Sequence, residues 1–404
     1  MRQPMAPAEK KILVVTCFGH FITHFNMLVF PALVLPLAGR LGLEVPRVLE
    51  LSFWMYLLFG LSALPWGLAA DRWGAKHQLM LFFLGSGICG LAAAWWLDNP
   101  PLFSLALAGL GLFAGIYHPA GLGMISKGVS QVSMAMGYNG MFGNLGLALA
   151  PFLTGIVNWL AGPRAAYLVL AGLNFAGLAL MALAPMDYGH QAEAPSKARA
   201  AKGSNPWLPF IVLLGAMTLG GIAYRGSGVI MPTLFELRGR AIYDFLAALA
   251  PGGFSQNLVA TMVTSLVYLL GVVAQYIGGR VGSRFELRKS YLLFHAASVP
   301  AALLAGWLSG GGLLLAVMAY MFFLLGMQPI ENTLVSNYTP ARLRHAAYGT
   351  KFIFVFGVGS LAVMLAGAVE GAWGVRYVFP VLGLVSLLLV GCILALIKVT
   401  SPSR

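Results

Sequence analysis

Gly19-His20-Phe21-Ile22-Thr23-His24-Phe25-Asn26 sits inside the apolar run Ile12 to Leu37. A run of that length crosses a bilayer, because about 20 residues of helix span the hydrocarbon. Yet it carries two histidines four residues apart and an asparagine. Helical spacing puts both imidazoles on one face, and lipid rejects such a face. The stretch must look into protein or into a water-filled path, so the rest of the chain must supply its wall.

Composition says the same of the whole chain. It has 404 residues, 59% of them hydrophobic and 9% charged, with a mean hydropathy of +0.83. A soluble domain carries roughly a quarter of its residues as charges, so a soluble enzyme or binding module is excluded. The 50 glycines and 22 prolines suit membrane helices, which tolerate both. Cys17, Cys89 and Cys392 lie far apart in apolar runs and read as small core residues, neither a disulfide framework nor a zinc site. No cleavable leader is expected, since the first apolar run is too long and leads into more of the same.

Hydropathy gives twelve spans, numbered here in chain order: 12–37, 48–70, 78–97, 102–126, 131–160, 164–185, 207–234, 257–278, 290–308, 312–337, 346–369 and 375–397. Of the 25 Lys and Arg, 17 fall on the side of the N-terminus and two, Arg225 and Lys351, lie within spans. The remaining six, Arg40, Arg47, Arg164, Arg238, Arg240 and Arg376, fall on the other side. The positive-inside bias predicts both termini in the cytoplasm and a location in the cytoplasmic (inner) membrane. The net charge of +13 is thus topological, and no nucleic-acid partner is expected.

The polar segment 186–206 reads as a cytoplasmic linker between an N-terminal six-helix bundle, 1–185, and a C-terminal one, 207–404. The two halves are related. A shift of 201 residues lays His24 over Arg225 and Pro31 over Pro232, and a shift of 212 lays Gly137 over Gly349 and Gly155 over Gly367. The change in offset implies about eleven extra residues near 241–256, outside the membrane. Two related bundles with polar helix interiors are what a repeat-built transporter needs, with its site where they meet.

Between spans 2 and 3 stands Gly67-Leu68-Ala69-Ala70-Asp71-Arg72-Trp73-Gly74-Ala75-Lys76. A tight turn needs glycine, and a carboxylate beside Arg and Lys can latch helix ends together in one conformation. The sequence resembles the Gly-x-x-x-Asp-Arg-x-Gly-Arg-Lys loop of the major facilitator superfamily, with Gly67, Asp71, Arg72, Gly74 and Lys76 as its gate motif. The corresponding loop 278–284 keeps glycines and arginines but has no Asp, so the latch there is expected to be weaker or absent. Gly19-His20-Phe21, Tyr117-His118-Pro119 and the stretch from Tyr338 to Gly349 resemble the fosmidomycin-resistance-type branch. The stretch from Gly143 to Pro151 is also similar to a motif of drug:proton antiporters, with Ala150 where that motif has glycine. The resemblance implies an all-α integral membrane protein: twelve transmembrane helices in two pseudo-symmetric six-helix bundles, the major facilitator fold. It also favours a monomer.

In that fold helices 1, 4, 7 and 10 line a central cavity, 2, 5, 8 and 11 flank it, and the rest are scaffold. The ionisable residues inside the spans are His20, His24, His118, Arg225, Glu331, Lys351 and His295; only His295, on span 9, falls on a scaffold helix. Glu331 is the only acid well inside a span, and a buried carboxylate can exchange protons near neutral pH. It is the expected proton-coupling group, with His24 and His20 beside it; the alternative is a permanent ion pair with Lys351 that fastens span 10 to span 11. Arg225 near mid-membrane pairs with Glu331 or meets an anionic substrate group. With Lys351 it makes the cavity positive, which favours a carboxylate, phosphonate or phosphate.

The expected substrate-binding set is His24, Arg225, Asn26, Tyr117, His118, Asn139, Asn144, Tyr224, Gln328, Glu331 and Lys351. Phe25 and Asn332 are further candidates for contact. For any one of these, interhelical packing is the competing role. His20 and His24 at i and i+4 can share a metal ion. Fixed cations, no cysteine and a single carboxylate argue against it, so no metal and no cofactor are expected. No phosphate-binding loop, catalytic triad or metalloprotease pattern occurs, so neither an ATP-driven pump nor an enzyme is expected.

The function expected is alternating-access, proton-coupled efflux of a small anionic or amphipathic organic compound, of the drug-resistance antiport kind. The alternatives are organic-anion uptake by symport and export of a metal or metal chelate. An intramembrane enzyme or sensor is the remote one.

Overall fold

The computed structural model describes residues 5–183, 207–249, 253–339 and 344–401, apart from the side chains of Asp71, Val132, Ser133, Arg344, His345, Ala346 and Tyr348. The expected linker 186–206 lies outside the described residues. So does part of the stretch from Tyr338 to Gly349.

Every element among the described residues is helical. Among the described residues nine helices are long and apolar enough to cross a membrane, and a bent pair, Val45–Leu61 with Ala63–Ala70, adds a tenth. One of the nine, Met134–Leu183, is 50 residues long and breaks at Gly162, whose φ is 80°. Glycine alone enters that conformation freely, and Pro163 then starts a new helix, so spans 5 and 6 follow one another almost without a loop. Leu287–Ala305, a 19-residue helix, completes twelve. A short helix, Arg240–Leu249, follows span 7; none of its residues is fully buried, and Ile242, Tyr243 and Leu246 pack partly against the core.

The sequence predicts continuous spans, and five of them are interrupted, span 1 at Leu33 between Pro7–Ala32 and Val34–Leu41. Span 4 is Pro100–Ala114 followed by Tyr117–Gly128; span 10 is Gly310–Gly326 followed by Gln328–Asn337. Span 2 is built from Val45–Glu50, Phe53–Leu61 and Ala63–Trp73. Span 11 runs Arg344–Phe352, then one π-helical turn Ile353–Gly357 and one 3-10 turn Val358–Ser360, then Leu361–Trp373. Spans 1 and 7, Pro7–Ala32 and Trp207–Arg238, each carry a proline inside, Pro31 and Pro232. The breaks in spans 4 and 10 and the prolines of spans 1 and 7 correspond between the two halves. Breaks of this kind free backbone groups and re-aim side chains at mid-depth, where repeat-built transporters place their sites.

The face carrying Pro7 and Thr400 is called here the terminal face and the opposite one the far face. The far face is closed by contacts between the halves. Asn158 donates to Asn257 at 3.0 Å, Asn257 donates to the Ala32 carbonyl at 3.0 Å, and the Phe152 N–H donates to Ser265 Oγ at 3.0 Å, while Asn257 also donates to Glu236 of its own half at 2.7 Å. Within the N-terminal half, Arg40 and Arg164 both bind Asp98, at 2.5 and 2.8 Å. These two guanidinium groups, Arg40 foremost, hold the exposed Asp98 carboxyl below the usual carboxylate range. At mid-depth spans 2 and 11 meet backbone to backbone: a Cβ added at Gly60 would lie 2.1 Å from the Gly357 nitrogen.

The turn between spans 2 and 3 is a single residue, Gly74, at φ 83° and ψ 141°. A side chain there is strained by about 1–3 kcal/mol. Gly74→Ala is therefore expected to lower the thermal midpoint by several degrees. Gly137→Ala, at a helical position where a Cβ meets nothing within 4 Å, is expected to be neutral or slightly stabilising. Equal midpoints in the two variants would contradict the reading of the turn. Gly67, in the same loop motif, brings span 2 against Pro119 of span 4, 3.3 Å from an added Cβ. The Asp71 side chain lies outside the described residues.

Candidate functional site: a cationic cavity between the bundles

Span 1 delivers His20 and His24 one helical turn apart, and the break in span 4 turns His118 towards them. The ligand-type nitrogens of all three lie within 4.8 Å of one another. His20 Nδ1 is 2.8 Å from the Asn139 carbonyl. A carbonyl only accepts, so Nδ1 of the neutral ring carries the proton and Nε2 keeps its lone pair. That lone pair faces His24 Nε2 at 3.2 Å. His118 stacks on Phe352 and Phe356 of span 11, with ring centroids 5.3 and 6.4 Å away, and its Nε2 is buried without a hydrogen-bond partner. The close fit of span 5 depends on Gly143, where an added Cβ would lie 2.5 Å from the His20 ring.

Arg225 enters from span 7. It is 7% exposed, its guanidinium carbon sits 4.1 Å from the centre of the Tyr56 ring and 5.9 Å from that of Phe356, and its Nε has no hydrogen-bond partner. Among the described residues it makes no ion pair; Glu331 is taken up elsewhere. His24, Arg225 and Tyr224 line a small cavity between the halves together with Met27, Leu28, Phe59, Leu147 and Phe356. Its volume is ≈ 10 Å³, about the room of one water.

Glu331 forms a second centre nearer the terminal face. One carboxylate oxygen is 2.7 Å from Lys351 Nζ and the other accepts from Tyr291 at 2.7 Å. Lys351 also donates to Asn332 at 2.6 Å. The pair is nearly buried, with side-chain exposures of 11% for Lys351 and 5% for Glu331. His295 joins this centre through Tyr291: the two rings meet edge-on at 4.7 Å, and both His295 nitrogens are buried without partners. The ionisable residue that the helix assignment leaves on scaffold is thus one ring away from the acid.

The other predicted residues are placed as follows. Tyr117 donates to the Thr16 carbonyl at 2.5 Å and accepts from Asn139 at 2.7 Å, and it stacks on His20 at 5.1 Å. Asn26 is turned away from the cavity, in a reciprocal amide pair with Asn174 of span 6 at 3.2 and 2.9 Å. Asn144 and Gln328 do not touch each other but are joined through Gln275 of span 8, at 2.8 and 2.9 Å, a chain that crosses between the halves. Phe25 is buried and stacks on Phe21 at 6.0 Å.

Sequence reasoning missed Tyr56, Gln275, Tyr291 and Phe356. Tyr56 and Tyr291 are phenols inside apolar spans, and a phenol there reads equally well as core. Gln275 had a signal: it is an amide well inside an apolar span.

Two six-helix bundles with interrupted helices meeting at a buried cationic centre define a membrane carrier. The chain belongs to the Major Facilitator Superfamily, whose family model matches residues 16–362. It is a multi-pass secondary transporter, not an enzyme. Its fold is similar to that of a bacterial homolog of the human lysosomal transporter Spinster in an inward-facing, unoccupied conformation, at a TM-score of 0.79 and 12% identity, over 98% of this chain and 99% of that one. The occupied form of that homolog gives 0.75 at 13% identity, over 98% and 100%. A D-xylose–proton symporter gives 0.71 at 13% identity, over 95% and 97%. No curated protein matches the chain in sequence.

Proposed function

We propose that the protein is a proton-coupled carrier that exports a small anionic or amphipathic organic compound by antiport across the cytoplasmic membrane. The observation that carries the substrate class is Arg225: a buried guanidinium stacked on Tyr56, without a carboxylate partner among the described residues, on the wall of the cavity between the halves. A buried charge left unpaired is costly, and an anionic ligand group supplies the missing partner bidentately. His24 and Tyr224 flank it as hydrogen-bonding and apolar contacts. The export direction rests on the resemblance to the resistance-type branch.

Glu331 is the proton site. Protonation would release Lys351 from its carboxylate, and that exchange is how the gradient drives the cycle. The bundles 1–185 and 207–404 rock about the cavity, with both termini in the cytoplasm and the chain working as a monomer. Closure at the far face supports reading this arrangement as the inward-facing half of the cycle.

Counterflow in proteoliposomes, run with carboxylates, phosphonates and phosphates and with and without a pH gradient, tests the reading. Arg225→Ala is expected to weaken anion exchange by roughly 10- to 100-fold, the value of a charged hydrogen bond, and to spare neutral amphiphiles. Exchange of anions untouched by Arg225→Ala would remove the charge argument, and transport that ignores pH would remove proton coupling.

A further inference from the structure

We infer that His20, His24 and His118 form a three-imidazole site for a borderline divalent cation of the Zn²⁺ type, open on its fourth side towards the cavity. This goes beyond the carriage of an organic anion and stands on the geometry of the imidazoles alone.

Three observations converge. First, the backbone fixes the donor. The Asn139 carbonyl takes the Nδ1 proton of His20 at 2.8 Å, which leaves Nε2 as a lone pair aimed inward; a second partner of this kind is how metal-ligating histidines are held in the right tautomer. Second, the spacing fits. Zn–N bonds of about 2.0–2.1 Å in a tetrahedron put neighbouring nitrogens roughly 3.3 Å apart, and His20 Nε2 and His24 Nε2 are 3.2 Å apart. For a metal to sit between them the His24 proton moves from Nε2 to Nδ1, so both rings ligate through Nε2 and stay neutral. Third, His118 supplies the remaining ligand. Its Nε2 is buried without a partner in a residue 8% exposed, and it belongs to the same cluster, whose nitrogens span 4.8 Å at most. A rotation of the ring over the Phe352 and Phe356 faces brings it in.

The donor set selects the cation. Three neutral nitrogens suit Zn²⁺, Cu²⁺, Ni²⁺ and Co²⁺ and reject Mg²⁺ and Ca²⁺, which require oxygen. No Asp, Glu or Cys joins the cluster among the described residues, so the bound ion keeps its double charge. Arg225 lines the same cavity as His24 and repels it. The open fourth position therefore takes an anionic oxygen donor, whose remaining charge faces Arg225.

The test is direct binding to the intact, tag-free, chelator-stripped protein in detergent. Titration calorimetry with Zn²⁺ is expected to give one equivalent, with no heat of binding for Mg²⁺. His24→Ala and His118→Ala are each expected to weaken binding by at least ~100-fold, above the loss typical of a partner one shell further out. His77→Ala, at an exposed histidine outside the spans, is expected to leave it unchanged. X-ray absorption at the zinc edge of the unmutated protein reads the ligand set even if a variant fails to fold, and three imidazoles are expected. Absence of one-equivalent binding, binding that survives His118→Ala, or an absorption spectrum with fewer than three imidazoles would each overturn the site. None of these outcomes bears on anion exchange through Arg225, so the two readings fail separately.

Discussion

Glu331→Gln is expected to abolish accumulation driven by a pH gradient while leaving substrate counterflow intact. The amide has the shape of the carboxyl and still accepts from Tyr291, but it cannot ionise, so the carrier is held in the equivalent of its protonated state. Exchange of substrate for substrate needs no proton step and continues; net driven movement needs one and stops. The variant leaves Lys351 with Asn332 alone. Breaking a nearly buried pair on one side costs about 3–5 kcal/mol, so Lys351→Met, which strands the carboxylate, is expected to lower the thermal midpoint more than the double variant Glu331→Gln with Lys351→Met. Driven transport should be lost in all three. If the pair merely fastens span 10 to span 11, the double variant regains both stability and driven transport, and that result would take Glu331 out of the coupling mechanism.

The spans, their number and the apolar class were legible because hydropathy over about 20 residues is a property of the chain alone. The candidate site was legible in part. Lipid excludes charge, so each ionisable residue inside a span is pointed inward before any contact is known, and His20, His24 and His118 do cluster, with His24 lining one cavity beside Arg225. Which of them touch is set by helix breaks and crossings that hydropathy does not register. The turn before Tyr117 decides that His118 reaches span 1, and the π turn of span 11 decides that Phe356 reaches Arg225. The sequence gives Asn26 and His24 equal claim on the cavity, yet Asn26 lies on the flank that meets span 6 and is satisfied by Asn174. The proximity of His295 to Glu331 was equally hidden, since it runs through Tyr291, one turn before His295 on span 9, whose phenol reaches across to Glu331 on span 10.

A cysteine pair in place of Pro46 and Gly371 is expected to form a disulfide readily and to stop transport until it is reduced. An added Cβ at Gly371 lies 3.8 Å from the Pro46 Cβ, the separation a disulfide requires. These residues join span 2 to span 11 at the far face. Locking them holds the halves in the arrangement described here and forbids the opposite one, so alternating access ends. Gly60→Val acts in the opposite sense at mid-depth. Its Cβ would lie 2.1 Å from the Gly357 nitrogen, and backbone cannot yield as a side-chain tip can. Spans 2 and 11 must part by more than 1 Å to restore ordinary contact, which begins near 3.4 Å. Overpacking of about 1–3 kcal/mol is enough to shift a two-state equilibrium by roughly 5- to 150-fold. Gly60→Val should therefore slow transport and, placed in the cysteine-pair background, slow disulfide formation by a similar factor. Disulfide formation at an unchanged rate with Gly60→Val present would show that the seam between Gly60 and Gly357 does not govern closure of the far face. Transport that persists with the disulfide formed would show that this closure is not part of the cycle at all.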